Sequence, residues 1–177
     1  MGEIDDLDVE TTIVRRKKRR SDAERLLARL DELNWTVATA ESLTGGLVAA
    51  SLVAVPGASA HVRGGIVAYA TDVKQTVLGV DATLLELHGA VESKVARQMA
   101  DKVRDVLADG DTRVDVGIAT TGIAGPGSPD GQPVGTVHIA VSTPLGTRVE
   151  SFVLEGDREA IRAETVRRSL RLALSAL

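Results

Sequence analysis

The sequence has no cysteine, which excludes disulfides and thiolate-ligated metal sites. It is almost as poor in aromatics, with only Trp35, Tyr69 and Phe152 among its 177 residues. A core must therefore be built from Val, Ala, Leu and Ile. The stacked aromatic platforms that hold single-stranded nucleic acid are not expected either. Long hydrophobic runs are also missing: stretches such as Leu47–Val55 contain small or polar residues and fall far short of the roughly 20 apolar residues a membrane helix needs. The acidic N-terminus has no apolar signal-peptide core, so no membrane association is expected and the expected location is the cytoplasm. Nor is there an excess of positive charge. A formal net charge of −4 argues against general affinity for phosphate backbones.

What is present has a globular balance, with 44% hydrophobic and 26% charged residues, and the length suits a single domain. The first twenty residues stand apart. Glu3, Asp5, Asp6, Asp8 and Glu10 precede the basic run Arg15 to Arg20, and such segregated charge rarely folds alone. Residues 1–20 are expected to be a solvated tail, with a contact to nucleic acid, anionic lipid or an acidic protein face as the alternative reading.

The domain is expected to span residues 21–177. It opens at Ser21, where Glu24 completes a capping box and Ala23, Leu26, Leu27, Leu30 and Leu33 recur at helical spacing. Trp35–Thr39 reads as a buried strand, Thr44–Val53 as a small-residue helix, and Ile66–Tyr69 as a second strand. Helices are expected at about Asp72–Leu78, Ala82–His88 and Glu92–Ala108. Arg113–Thr121 is a strand that runs into the loop Gly122–Gly131. A hairpin, Val134–Ser142 and Thr147–Leu154, precedes a last helix capped by Asp157. Early strands separated by helices, followed by a hairpin, predict a three-layer α/β/α sandwich around a mixed, mostly parallel sheet.

Ser42 lies where a strand turns into a helix. It is either that helix's N-cap or a nucleophile placed where backbone amides stabilise developing negative charge. Gly45 and Gly46 allow close approach of a substrate. A serine nucleophile needs a base, and His61, His88 and His138 are unconvincing ones. Lys74, five residues after Tyr69, is an alternative if burial lowers its pKa, with Tyr69 relaying a proton or orienting it. From the residues alone the simpler reading prevails, with Lys74 an exposed helix lysine and Tyr69 a residue at the edge of the core. The glycines of Gly122–Gly131 form either an anion-binding nest or an ordinary loop. No metal-ligand spacing occurs.

Taken together, TVATAESLTGGLVAASL, VRGGIVAYATDVKQTVLGV, HGAVES, TGIAGPGSPDGQPVGTVHIAV and GDREAIR resemble, in order, the C-terminal domain of the competence/damage-inducible protein CinA. The resemblance runs from about Ser21 to the C-terminus. It implies an α/β/α fold and, as in stand-alone members, hydrolysis of the carboxamide of nicotinamide mononucleotide to nicotinate mononucleotide and ammonia, without metal or cofactor. It places the family's catalytic residues on Ser42, Tyr69 and Lys74. Its glycine-rich segments fall on Thr44, Gly45 and Gly46 and on Gly122 to Pro126, with Gly125 and Arg158 further candidates for substrate contact. Many members carry a larger N-terminal domain where this sequence has its charged segment, so no activity of that domain is expected. The expected partners are a small pyridine nucleotide and further copies of the chain in a homo-oligomer, with nucleic acid confined to the basic segment. The alternative is a non-catalytic nucleotide-binding or interaction module.

Overall fold

The computed structural model describes residues 20–128 and 131–177. The charged segment, up to residue 19, lies outside them together with the expectation attached to it. Helix α1 (Asp22–Leu33) opens with the predicted capping box: Glu24 N–H donates to the Ser21 hydroxyl, and Ser21 N–H donates to the Glu24 carboxylate. It ends at Asn34, which takes the left-handed conformation.

Strand β1 (Val37–Glu41) leads to α2 (Leu47–Val53), and β2 (Val62–Val67) leads to α3 (Thr71–Thr76), α4 (Ala82–His88) and α5 (Ser93–Val106). Strand β3 (Val116–Gly122), the hairpin β4 (Thr136–Thr143) and β5 (Gly146–Val153), and α6 (Arg158–Ala176) complete the chain. The five strands lie in the order β2-β1-β3-β4-β5. β1 pairs in parallel with β2 and β3, while β4 pairs antiparallel with β3 and β5, so β4 alone runs against the rest. This is the predicted mixed α/β sheet.

Strand β1 runs Val37–Glu41, not Trp35–Thr39, and β3 starts at Val116, not Arg113; two further boundaries moved for local reasons. Helix α2 starts at Leu47, not Thr44, because Gly45 and Gly46 take positive φ values of 60° and 94° that cannot continue a right-handed helix. Strand β2 begins at Val62, not Ile66, because Gly64 and Gly65 interrupt the apolar pattern that marks a strand, and Tyr69 falls beyond its end.

The sheet separates two cores, and strand alternation decides which residue enters which. Val37, Val116, Ile118, Val137, Ile139 and Val141 face α1, α2 and α6. Ala38, Ala40, Ala119 and Ala140 face α5 and the shorter α3 and α4. The second face is paved with small residues because α5 brings the bulk, through Val95, Met99 and Val103. The helix consequently sits very close to the strands at Gly117, where a β-carbon would lie 1.9 Å from the Ala100 carbonyl oxygen and 2.9 Å from Arg104 Cγ. Gly117→Ala should therefore cost about 3 kcal/mol, the upper range for overpacking a core, read as a lower denaturation midpoint. An unchanged midpoint would mean that α5 does not need this approach.

Candidate active site

Because β2, β1 and β3 are parallel neighbours, their C-terminal ends open on one edge of the sheet, where crevices form in open α/β sheets. The segments leaving those ends carry Ala68 and Tyr69, Ser42, and Ile123 to Gly125. Between them lies a cleft of about 480 Å³, within the range of small-molecule sites. Its described lining includes Ser42, Tyr69, Lys74, Gly122, Gly125 and Arg158, with Leu43, Leu85, Val91 and Ile123 as apolar wall. No carboxylate is among these lining residues.

Lys74 is the largest fully buried side chain described, 1% exposed. Helical side chains lean towards the N-terminus of their helix, so from α3 it reaches back over the residues preceding the helix. Its Nζ lies 2.8 Å from the Ala68 carbonyl oxygen, 3.2 Å from that of Tyr69 and 3.1 Å from Ser42 Oγ. Burial pushes its pKa down from 10.5 to about 8. A neutral amine has two N–H groups and one lone pair. The carbonyls can only accept, so they take both N–H groups and leave the lone pair to the Ser42 hydroxyl proton. The arrangement suits a lysine base acting on a serine.

The Tyr69 hydroxyl is turned to Arg158, accepting from its Nη2 at 3.1 Å, and the residue is 59% exposed. Its contribution to Lys74 is the main-chain carbonyl. Arg158 also donates from Nη1 to the Gly125 carbonyl at 2.8 Å, which ties the second loop to the rim of the cleft.

Ser42 is not a helix cap. The N-terminus of α2 is held by Glu41, a 1% exposed carboxylate that accepts from the amides of Gly46 (2.9 Å), Val48 (3.0 Å) and Ala49 (2.8 Å). Thr39 Oγ1 donates to the same carboxylate at 3.2 Å. Gly65 on the neighbouring strand leaves room for that hydroxyl, since a β-carbon there would come within 2.4 Å of it.

This also corrects the role expected of Thr44, Gly45 and Gly46. The Gly46 amide is bonded to Glu41, the Gly45 amide donates to Ser42 O at 3.0 Å, and Thr44 is buried with its hydroxyl 2.7 Å from that of Thr120. None of the three lines the cleft, whereas Gly122 and Gly125 do. Gly125 has φ +80°, and a β-carbon there would meet Val134 at 2.8 Å, so this position requires glycine whatever the loop binds.

Two residues not singled out from the sequence complete the site. One is Glu41. Its signal was partly available, because the amides opening α2 needed an acceptor, but Ser42 offered itself as the cap. The other is Arg162, one turn beyond Arg158 on α6, which donates to the carbonyls of Leu43 (2.9 Å) and Thr44 (3.0 Å). The histidines lie elsewhere: His61 contacts Trp35 O and Asp31, and His138 contacts Ser151.

Residues 19–177 match the CinA C-terminal domain family. The chain is 50% identical over 141 residues to a CinA-like protein from Frankia casuarinae, covering 80% of this chain and 31% of that protein. It is 47% identical over 156 residues to a CinA-like protein from Anaeromyxobacter sp. strain K, covering 87% and 37%. It thus spans about a third of the length of these curated relatives. Among solved structures, a competence-damaged protein (CinA) superfamily protein from Escherichia coli superposes with a TM-score of 0.82 at 34% identity, covering 88% of each chain. The competence/damage inducible protein CihA from Agrobacterium tumefaciens gives 0.79 at 36% identity, covering 87% of this chain and 92% of that one.

The lysine's state has a consequence for stability. Its folded-state pKa lies below the unfolded one, so between about pH 8 and 10.5 the unfolded chain binds more protons and stability rises with pH across that window. Below it, the buried ammonium costs ~3 kcal/mol. Lys74→Met should abolish this dependence: the variant's stability relative to wild type should fall by ~3 kcal/mol between pH 7 and 10.5 in denaturant titrations. A difference independent of pH would show an ordinary solvated lysine.

Proposed function

The chain belongs to the CinA C-terminal domain family, and on that premise we propose that it hydrolyses the carboxamide of nicotinamide mononucleotide to nicotinate mononucleotide and ammonia. The observation that carries the proposal is the contact of 3.1 Å between Lys74 Nζ and Ser42 Oγ in a cleft with no carboxylate among its described lining residues.

Neutral Lys74 removes the Ser42 proton as the oxygen attacks the carboxamide carbon. Collapse of the tetrahedral intermediate breaks the carbon–nitrogen bond, and the Lys74 ammonium returns the proton to the departing nitrogen, which leaves as ammonia. Water, deprotonated by the same lysine, then hydrolyses the acyl ester and restores Ser42. The fixed positive charge of the pyridinium ring withdraws electrons from the amide and makes its carbonyl more reactive than that of free nicotinamide. A cationic ring also suits a site whose base works in its uncharged form.

Arg158 takes the other end of the substrate. It is exposed at the mouth of the cleft, and its contacts there are the Gly125 carbonyl and the Tyr69 hydroxyl, both neutral. A phosphate arriving there meets an arginine fork with no carboxylate to displace.

Incubation with nicotinamide mononucleotide should release ammonia, and Ser42→Ala should lower the rate by about 10³-fold or more. Nicotinamide riboside, which keeps the pyridinium and lacks the phosphate, should have a kcat/KM at least tenfold lower, given ~1.5–3 kcal/mol per charge-assisted hydrogen bond. Ammonia release no faster than from Ser42→Ala would make the chain a binding module. Equal turnover of the two compounds would remove the phosphate from the account.

A further inference from the structure

The turn that follows Ser42 is held from outside by α6. Arg158 and Arg162 are four residues apart and therefore share a face of that helix. Arg158 reaches the loop after β3, and Arg162 reaches the loop after β1. The Arg162 guanidinium donates from Nε to Leu43 O at 2.9 Å and from Nη2 to Thr44 O at 3.0 Å, so its planar fork spans two successive carbonyls. It packs so close to the turn that a β-carbon on Gly45 would lie 3.4 Å from Nη2. Neither contact is a carboxylate, so the guanidinium's positive charge falls on the peptide groups of the turn itself.

The amides of this turn are otherwise accounted for, with two exceptions. Ser42 N–H donates to Thr120 O, Gly45 N–H to Ser42 O, and Gly46 N–H to Glu41. The amides of Leu43 and Thr44 have no acceptor among the described residues. Unpaired amides immediately after a nucleophile are the donors an oxyanion needs. Of the two, Leu43 belongs to the cleft lining while Thr44 is fully buried, so the grip on both carbonyls holds the Leu43 amide in place beside the cleft.

We infer that Arg162 is a positioning residue for chemistry at Ser42: it grips the Leu43 and Thr44 carbonyls so that the amide of Leu43, which lines the cleft, receives the oxygen of the carbonyl under attack. The inference rests on Ser42 being the nucleophile, but not on the identity of the substrate.

Two readouts test it on purified full-length protein. The first is steady-state hydrolysis of nicotinamide mononucleotide. The second is the rate at which a fluorophosphonate, whose P=O oxygen enters the same donor site, labels Ser42, followed by intact mass. Arg162→Met should lower both kcat and the labelling rate by about tenfold to a hundredfold, the lower range for losing oxyanion stabilisation, with KM little changed. Arg162→Lys, which keeps the charge but not the fork, should recover only part of the loss. If the Met variant does not fold, the Lys variant alone decides by the same two rates. Wild-type rates in folded variants would overturn the inference, as would a raised KM with unchanged kcat and labelling. A wild type that labels at Ser42 without releasing ammonia would sink the proposed substrate, and the labelling rates would still decide the role of Arg162. A wild type that neither labels nor turns over would remove both.

Discussion

A primary amine buried with no counter-charge among the described residues is the constraint around which this site is arranged. Lys74 is 1% exposed and is met by two carbonyls and a hydroxyl. Burial makes its ammonium expensive. The carbonyls offset part of that cost and at the same time fix the direction in which the amine points. With both N–H groups committed, its lone pair is delivered to Ser42. A carboxylate beside the lysine would stabilise the charged form, and the described cleft lining contains none. On the proposed mechanism, stability is given up here to keep a proton acceptor available.

The rest of the fold supports that geometry from several sides. Three parallel strands end together and bring the loops of Ser42, Ala68–Tyr69 and Ile123–Gly125 to one edge. Glu41 pins α2 to the end of β1 by taking three of the helix's free amides. Arg162 ties the intervening turn to α6, and Arg158 ties the opposite loop to the same helix. The turn that carries Ser42 is thus held by two charged side chains bonded to main chain, Glu41 and Arg162, a support that does not draw on the apolar core. The core has its own demand, the close docking of α5 on a face of alanine and glycine.

Much of this was legible in the sequence. The capping box at Ser21, the hairpin and the βα alternation are local signals, and the helix periods gave α1, α4 and α5 nearly to their ends. The pairing of Ser42 with Lys74 came from the family motifs, because thirty-two positions of chain separate the two and no spacing rule links them. The misreadings share a cause. Ser42 looked like a cap, and Thr44 to Gly46 like an oxyanion site, because a strand-to-helix turn usually leaves its amides free. Glu41 on the preceding strand had taken the Gly46 amide and Ser42 O that of Gly45, while Thr44 is buried away from the cleft, and the room for the Thr39 hydroxyl that donates to Glu41 comes from Gly65 on the neighbouring strand. Arg162 was hidden for the same reason: its partners are carbonyls, which no sequence pattern marks.

The central claim is that Lys74 is a base poised by burial, and its protonation can be observed directly. With lysine labelled at the side-chain nitrogen, and the Lys74 resonance assigned by its absence in Lys74→Met, a pH titration by nuclear magnetic resonance should give a midpoint at about 8. A midpoint at the ordinary lysine value of 10.5 would contradict the account, because the amine would then be charged throughout the neutral range and could not take the proton from Ser42.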